Sequence, residues 1–229
     1  SCSKMFLLCN PHNPIGRVFT RAELERMAEE CLQRDVVICS DEIHCDLIFT
    51  GHRHIPIAAI APEIAKRTIT LMAPSKTFNI AGLEFSFAVV TNPDLREVLK
   101  RGRRGVVGHP NLMGMVAAKA AYQAGQDWLD ELLKILEANR ILVFDTVNTK
   151  LPGIKMVLPQ ATYLAWLDCR AAGIGDDPAD FFLKQAQVGL NDGRTFGRGG
   201  EGFVRLNFGC PESMLTEALE RMCSALFIN

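Results

Sequence analysis

At 229 residues, 48% hydrophobic and 22% charged, the chain has the makeup of an ordinary soluble globular protein, long enough to bury one large core or two modest ones. Its formal net charge of −1 excludes a broad electrostatic draw toward nucleic acid or an anionic membrane. No apolar run is long enough to span a bilayer, and no signal-peptide pattern follows Ser1-Cys2-Ser3-Lys4.

Taken in order, Met5 to Cys9 predicts a short buried strand. The loop Asn10-Pro11-His12-Asn13-Pro14-Ile15-Gly16 follows, where two prolines and a glycine oppose continuous structure. Thr20-Arg21-Ala22-Glu23 is a capping box, and Leu24, Met27, Ala28, Cys31 and Leu32 behind it recur at helical spacing, so a helix should run to about Arg34. Val36–Ser40, Thr68–Met72 and Phe85–Val90 predict further strands. Strands alternating with helices indicate an α/β architecture with a largely parallel sheet, whose active residues stand in loops beyond the strand C-termini. From Asn111 to about Val147 the pattern is helical, and Leu151-Pro152-Gly153 is the best boundary. Beyond it an α+β pattern follows: a strand at Thr162–Leu167, a helix after Asp177-Pro178, a strand at Phe203–Phe208 and a terminal helix.

Eight cysteines, at 2, 9, 31, 39, 45, 169, 210 and 223, form no CxxC pair and match no zinc-ribbon spacing. Several lie in apolar runs, as expected of free thiols in a reducing cytoplasm.

Three short stretches carry chemistry. Ser40-Asp41-Glu42-Ile43-His44 puts an acidic pair just after a strand, where a carboxylate could stay charged beside a buried cation; a helix N-cap or solvated turn would use the same residues. Ala73-Pro74-Ser75-Lys76-Thr77-Phe78 sets a lysine behind another strand, where it could form a Schiff base; a lone lysine more often lies along the surface. Arg205, inside Phe203–Phe208, calls for a carboxylate, a ligand's or that of an internal Asp or Glu, unless it takes an outward-facing strand position.

In this order the motifs Asn13-Pro14-x-Gly16, Asp41-x-x-His44, Ser75-Lys76 and Arg205 resemble the fold-type-I PLP (pyridoxal 5′-phosphate) enzymes of the aspartate aminotransferase superfamily. The longer phrases, Asn10 to Gly16, Ser40 to His44, Ala73 to Leu83 and Arg205-Leu206-Asn207-Phe208-Gly209, resemble its MalY/PatB subfamily of cystathionine β-lyase type carbon–sulfur lyases. The resemblance covers nearly the whole chain. It implies that residues 1–150 are the C-terminal portion of a PLP-binding large domain with a mainly parallel sheet, and that residues 151–229 are an α+β small domain.

By that resemblance Lys76 carries PLP and shuttles the substrate α-proton. Asp41 pairs with the pyridine nitrogen, Asn13 bonds the ring O3′, His44 stands where relatives carry a tyrosine, Ser75 helps hold the phosphate, and Arg205 clamps the substrate carboxylate. The implied activity is β-elimination from cystathionine or cysteine-like amino acids to thiol, pyruvate and ammonia, in a cytoplasmic homodimer. A class I/II aminotransferase is the alternative, and a fragment with only a regulatory or binding role is a further one. Ala73 and Glu84 replace the serine and arginine that aminotransferases place on the phosphate, which suits the lyase subfamily. The family's glycine-containing phosphate turn and ring-stacking aromatic residue are not found before Asn10, so the chain is expected to begin inside the large domain.

Two other patterns point elsewhere. Gly197-x-Gly199-x-x-Gly202 spells a dinucleotide fingerprint, but a strand rather than a helix should follow it. Asp41, Glu42, His44, His52 and His54 could supply metal ligands, yet they lack an HExxH spacing.

Overall fold

The computed structural model describes residues 3–227; Ser1, Cys2, Ile228 and Asn229 lie outside them. The chain divides into two compact units. One comprises residues 1–11 and 18–130, the other residues 12–17 and 131–229.

The first unit is built on a four-stranded sheet of β1 (Met5–Cys9), β2 (Val37–Asp41), β3 (Thr68–Met72) and β4 (Phe87–Val89), in that spatial order. β1, β2 and β3 are parallel, while β4 runs antiparallel to β3. Helix α1 (Arg21–Gln33) begins at the expected capping box: Thr20 Oγ1 accepts from the Glu23 N–H, and the Thr20 N–H donates to Glu23 Oε2 at 2.9 Å. Its Leu24, Ala28 and Cys31 pack with Leu8 and Ile38 of the sheet and with Val36, Ile57 and Ile64. Each large apolar side chain buried there contributes about 1.5–3 kcal/mol. On the opposite face of the sheet Met5, Leu7 and Leu71 are exposed.

Short α2 (Pro62–Ala65) precedes β3, and α3 (Pro93–Gly102) follows β4, capped by Asn92. The helical stretch expected from Asn111 is two helices, α4 (Leu112–Ala124) and α5 (Gln126–Lys150), separated at Gly125. A Cβ on Gly125 would lie 2.6 Å from the Phe78 ring, so close packing at this break requires glycine. The division between the units falls within α5, and Leu151-Pro152-Gly153 marks where that helix ends.

The second unit holds an antiparallel sheet of β5 (Lys155–Met156), β6 (Leu164–Asp168), β8 (Phe203–Asn207) and β7 (Asn191–Asp192), in that order. Strand alternation sorts its faces. Ala165, Leu167, Val204 and Leu206 are buried on one, and Trp166, Phe203 and Arg205 stand on the other. Leu136, Val143 and Val147 of α5 add to the buried interior, as do Leu215, Leu219 and Met222 of α7 (Glu212–Leu226). The helix expected after Asp177-Pro178 is one turn, α6 (Pro178–Phe181), running into a π-helical turn over Phe182–Ala186. Gly197, Gly199 and Gly202 all have positive φ and form a loop that leads into β8, so they do not open a helix.

Candidate active site

In the first unit the loops after β1, β2 and β3 leave the same C-terminal edge of the parallel sheet. Asp41 is the last residue of β2, in register with Cys9 and Leu71. Its carboxylate accepts the Ile43 N–H at 3.1 Å. The chain from Leu71 continues through Ala73 and Pro74, both buried, to half-buried Ser75 and Lys76. Among the described residues Lys76 makes no ion pair. A turn fixes its backbone: Phe78 N–H donates to the Pro74 carbonyl at 2.9 Å, and Ile80 N–H to that of Ser75 at 3.2 Å. The Phe78 ring meets Tyr122 and Trp128, each at 5.9 Å between centroids.

The two acid- and lysine-bearing loops are tied together by groups that the sequence did not single out. Buried Thr77 donates its hydroxyl to Asp46 Oδ2 at 3.0 Å, joining the loop after β3 to the loop after β2. Asn10 is fully buried; its N–H donates to the Asp41 carbonyl and its Oδ1 accepts the Phe19 N–H. It pins the loop rather than facing a ligand. His44 is also buried. A cavity of about 540 Å³ is lined by Asp41, Leu71, Ala73, Ser86, Ala88 and Arg103 among others. Glu84 and His109 also line it, and Lys76 does not; a half-buried carboxylate on a cavity wall suits a planar heterocycle carrying a cationic ring nitrogen.

Of the candidate metal ligands, Glu42 and His54 do meet, but no group of three or more His, Cys, Asp or Glu residues could hold a metal among the described residues.

In the second unit the segment His12–Arg17 is a tight turn, closed by the His12 N–H to the Arg17 carbonyl at 2.8 Å and the Gly16 N–H to the His12 carbonyl at 2.7 Å. Gly16 has a φ of +71°, and a Cβ there would lie 2.8 Å from Pro159 Cβ. Its carbonyl accepts from the N–H groups of Gln160 and Ala161. The glycine in Asn13-Pro14-x-Gly16 is therefore demanded twice, by backbone conformation and by space.

This turn presents Asn13, whose Oδ1 accepts from Arg205 Nη1 at 2.8 Å. Arg205 Nη2 donates to Asn191 Oδ1 at 2.8 Å, and the guanidinium lies over the Phe196 ring at 4.8 Å. Trp166 buttresses that ring edge-on at 5.4 Å and stacks on Phe203 at 5.2 Å. Burial lowers the Arg205 pKa, and Tyr163 acts in the opposite sense. No Asp or Glu forms an ion pair with Arg205 among the described residues; the nearby sheet carboxylate, Asp168, bonds Arg170 instead at 2.7 Å. The internal salt bridge that the sequence left open for Arg205 is thus not its arrangement. Asn191 and Phe196 were missed because nothing in their spacing marks them as the arginine's neighbours.

A family profile for aminotransferase class I and II matches residues 2–222. "Cystathionine beta-lyase PatB" of Bacillus subtilis (strain 168) is 43% identical, over 97% of this chain and 58% of that protein. The solved structure of OvoB is 49% identical with a TM-score of 0.94, covering 99% of this chain and 59% of that one. Cystalysin from Treponema denticola, a structure that contains pyridoxal 5′-phosphate, is 40% identical with a TM-score of 0.93 over 97% of this chain and 57% of that one. The chain spans a little under three-fifths of the length of each. Its fold is that of aminotransferase fold type I, with the sheet of the first unit part of the large domain. The chain belongs to the aminotransferase class I and II family.

Proposed function

We propose that the chain is the PLP- and carboxylate-binding portion of a carbon–sulfur β-lyase acting on cystathionine or cysteine-like amino acids. One observation carries this reading most directly. Asp41 and the Ser75-Lys76 turn leave adjacent parallel strands at the same sheet edge, so an acid and a lysine are carried on neighbouring loops. The 43% identity to a named cystathionine β-lyase supports the reaction type.

PLP, when bound, supplies an electron sink that makes the α-proton of an amino acid removable. Lys76 would hold the cofactor through its ε-amino group, and that amine would take the α-proton and supply a proton to the departing sulfur as the carbon–sulfur bond breaks. Asp41 holds a positive charge at the ring nitrogen, with its own orientation set by the Ile43 N–H. Ser75 and His44 belong to the same loops and contribute to the cofactor's phosphate and ring ends. Asn13 bonds the ring hydroxyl. Among the described residues Arg205 has no acidic partner, and it is stiffened by two amide oxygens and an aromatic face. It is the group for the substrate α-carboxylate.

The assembly is read as a homodimer, supported by the exposed Leu112, Met113, Met115 and Val116 on α4. Placement in the cytoplasm fits the seven described cysteines, all free. No helix among the described residues is long and apolar enough to cross a membrane.

The reaction type is tested by supplying the holoprotein with cystathionine and assaying pyruvate against keto-acid exchange. The lyase reading expects pyruvate with stoichiometric ammonia. Exchange without pyruvate would make the chain part of an aminotransferase.

A further inference from the structure

The acidic pair Asp41-Glu42 looks symmetrical in the sequence but is not in the fold. Alternation along β2 and its extension sends Ser40 and Glu42 to one side and Asp41 to the other. Glu42 is 1% exposed. Its Oε1 accepts the Ser40 hydroxyl at 2.8 Å, and its Oε2 lies 2.8 Å from His54 Nε2. Its N–H donates to the Leu71 carbonyl on β3, and its carbonyl accepts the Cys45 N–H, each at 3.0 Å. His54 comes from a separate loop and is nearly buried. Its Nδ1 is buried without a partner among the described residues, so the bond to Glu42 is the directional contact of its ring.

We propose that Glu42 and His54 are positioning residues for Asp41. Glu42 clamps the turn that follows β2 at its backbone and at both carboxylate oxygens, and His54 anchors that carboxylate from outside the turn. Asp41, one residue before the clamp, keeps the Ile43 N–H on its carboxylate and its orientation toward the cavity it lines. A carboxylate that must meet a fixed ring nitrogen gains from a neighbour whose own position is over-determined. The inference rests on the reading that Asp41 holds the ring of PLP.

The test uses Glu42→Gln, His54→Ala and His54→Gln, the last of which keeps a donor near the Nε2 position. Hydrogen exchange at the Ile43 amide is measured in the PLP-free protein, together with PLP affinity from visible absorbance and the melting temperature. Glu42→Gln and His54→Ala should speed Ile43 exchange and weaken PLP binding by roughly tenfold to a hundredfold, the scale of outer-partner losses. His54→Gln should restore most of both. Unchanged Ile43 exchange in His54→Ala overturns the proposal whether or not Glu42→Gln folds. So does faster exchange with PLP affinity kept within twofold, because the pair would then support only local stability. A parent protein that binds no PLP would sink the functional reading instead, while the Ile43 exchange still decides whether the pair holds Asp41.

Discussion

The first unit carries its candidate residues on loops that leave one edge of a parallel sheet, whereas the second carries its arginine inside an antiparallel strand. In the first, strand register does most of the positioning: Asp41 is fixed by its pairing with Cys9 and Leu71, and Lys76 by a turn a few residues past the same register point. In the second, β8 supplies only the direction in which Arg205 points. Its guanidinium is held by side chains from elsewhere in that unit: Asn13, Asn191 and Phe196. Backbone register leaves the acid and the lysine without side-chain partners among the described residues. Side-chain buttressing leaves the arginine charged, stiff and without an acidic partner.

The largest effect that separates the two arrangements should come from Asp41→Ala. It removes the charge at the ring nitrogen, and steady-state kinetics should show kcat lower by roughly 10²–10³-fold, the loss typical of one preorganised electrostatic group. A loss confined to KM would mean that Asp41 serves substrate binding, as Arg205 does. Arg205→Lys is the counterpart in the second unit. Lysine keeps the charge but not the planar fork that meets Asn13 and Asn191, so kcat/KM should fall roughly tenfold to a hundredfold, mainly through KM.

Much of the first unit was legible because its signals are local. The capping box at Thr20 and the β-branched and apolar runs of β1 to β3 each declare themselves within a few residues. Helix α3 went unread although Leu95, Val98 and Leu99 recur at helical spacing behind the Asn92-Pro93 cap; at ten residues with no buried side chain, its signal is short. The break falls at Gly125, the C-cap of α4, a glycine that the long helical pattern around it obscured. β5 and β7 are two residues each, too short for alternation to register. At the site, the residue types at Asp41, Lys76, Asn13 and Arg205 were visible through motif order. The ties that orient them, Thr77 to Asp46, Glu42 to His54 and Asn191 to Arg205, are set by tertiary contacts that spacing does not encode.

Smaller effects sharpen the contrast at the level of stability. Gly16→Ala sets a Cβ 2.8 Å from Pro159 at a left-handed φ, so urea unfolding should show a loss of roughly 2–4 kcal/mol, strain and overpacking together. Unchanged stability would mean that the His12–Arg17 turn yields freely and cannot hold Asn13 in place. The smallest effect concerns Asp168, whose pKa is lowered chiefly by its hydrogen bond to Arg170. A depressed carboxylate pKa adds stability above the unfolded value of about 3.9, and that stability is lost as pH falls through the folded value. Arg170→Ala should therefore lower stability slightly at neutral pH, with the difference from the parent fading in acid, as followed by urea unfolding across pH. A drop in substrate affinity in the same variant would indicate that Asp168 had turned to Arg205.

The central claim is that the amine of Lys76 is the group that holds PLP. Reducing the PLP-treated protein with borohydride, digesting it and mapping the modified peptide by mass tests this most directly. The account predicts a single phosphopyridoxyl adduct on the peptide containing Ser75-Lys76-Thr77, absent in Lys76→Ala. An adduct on another lysine, or one that survives in Lys76→Ala at full yield, would contradict it.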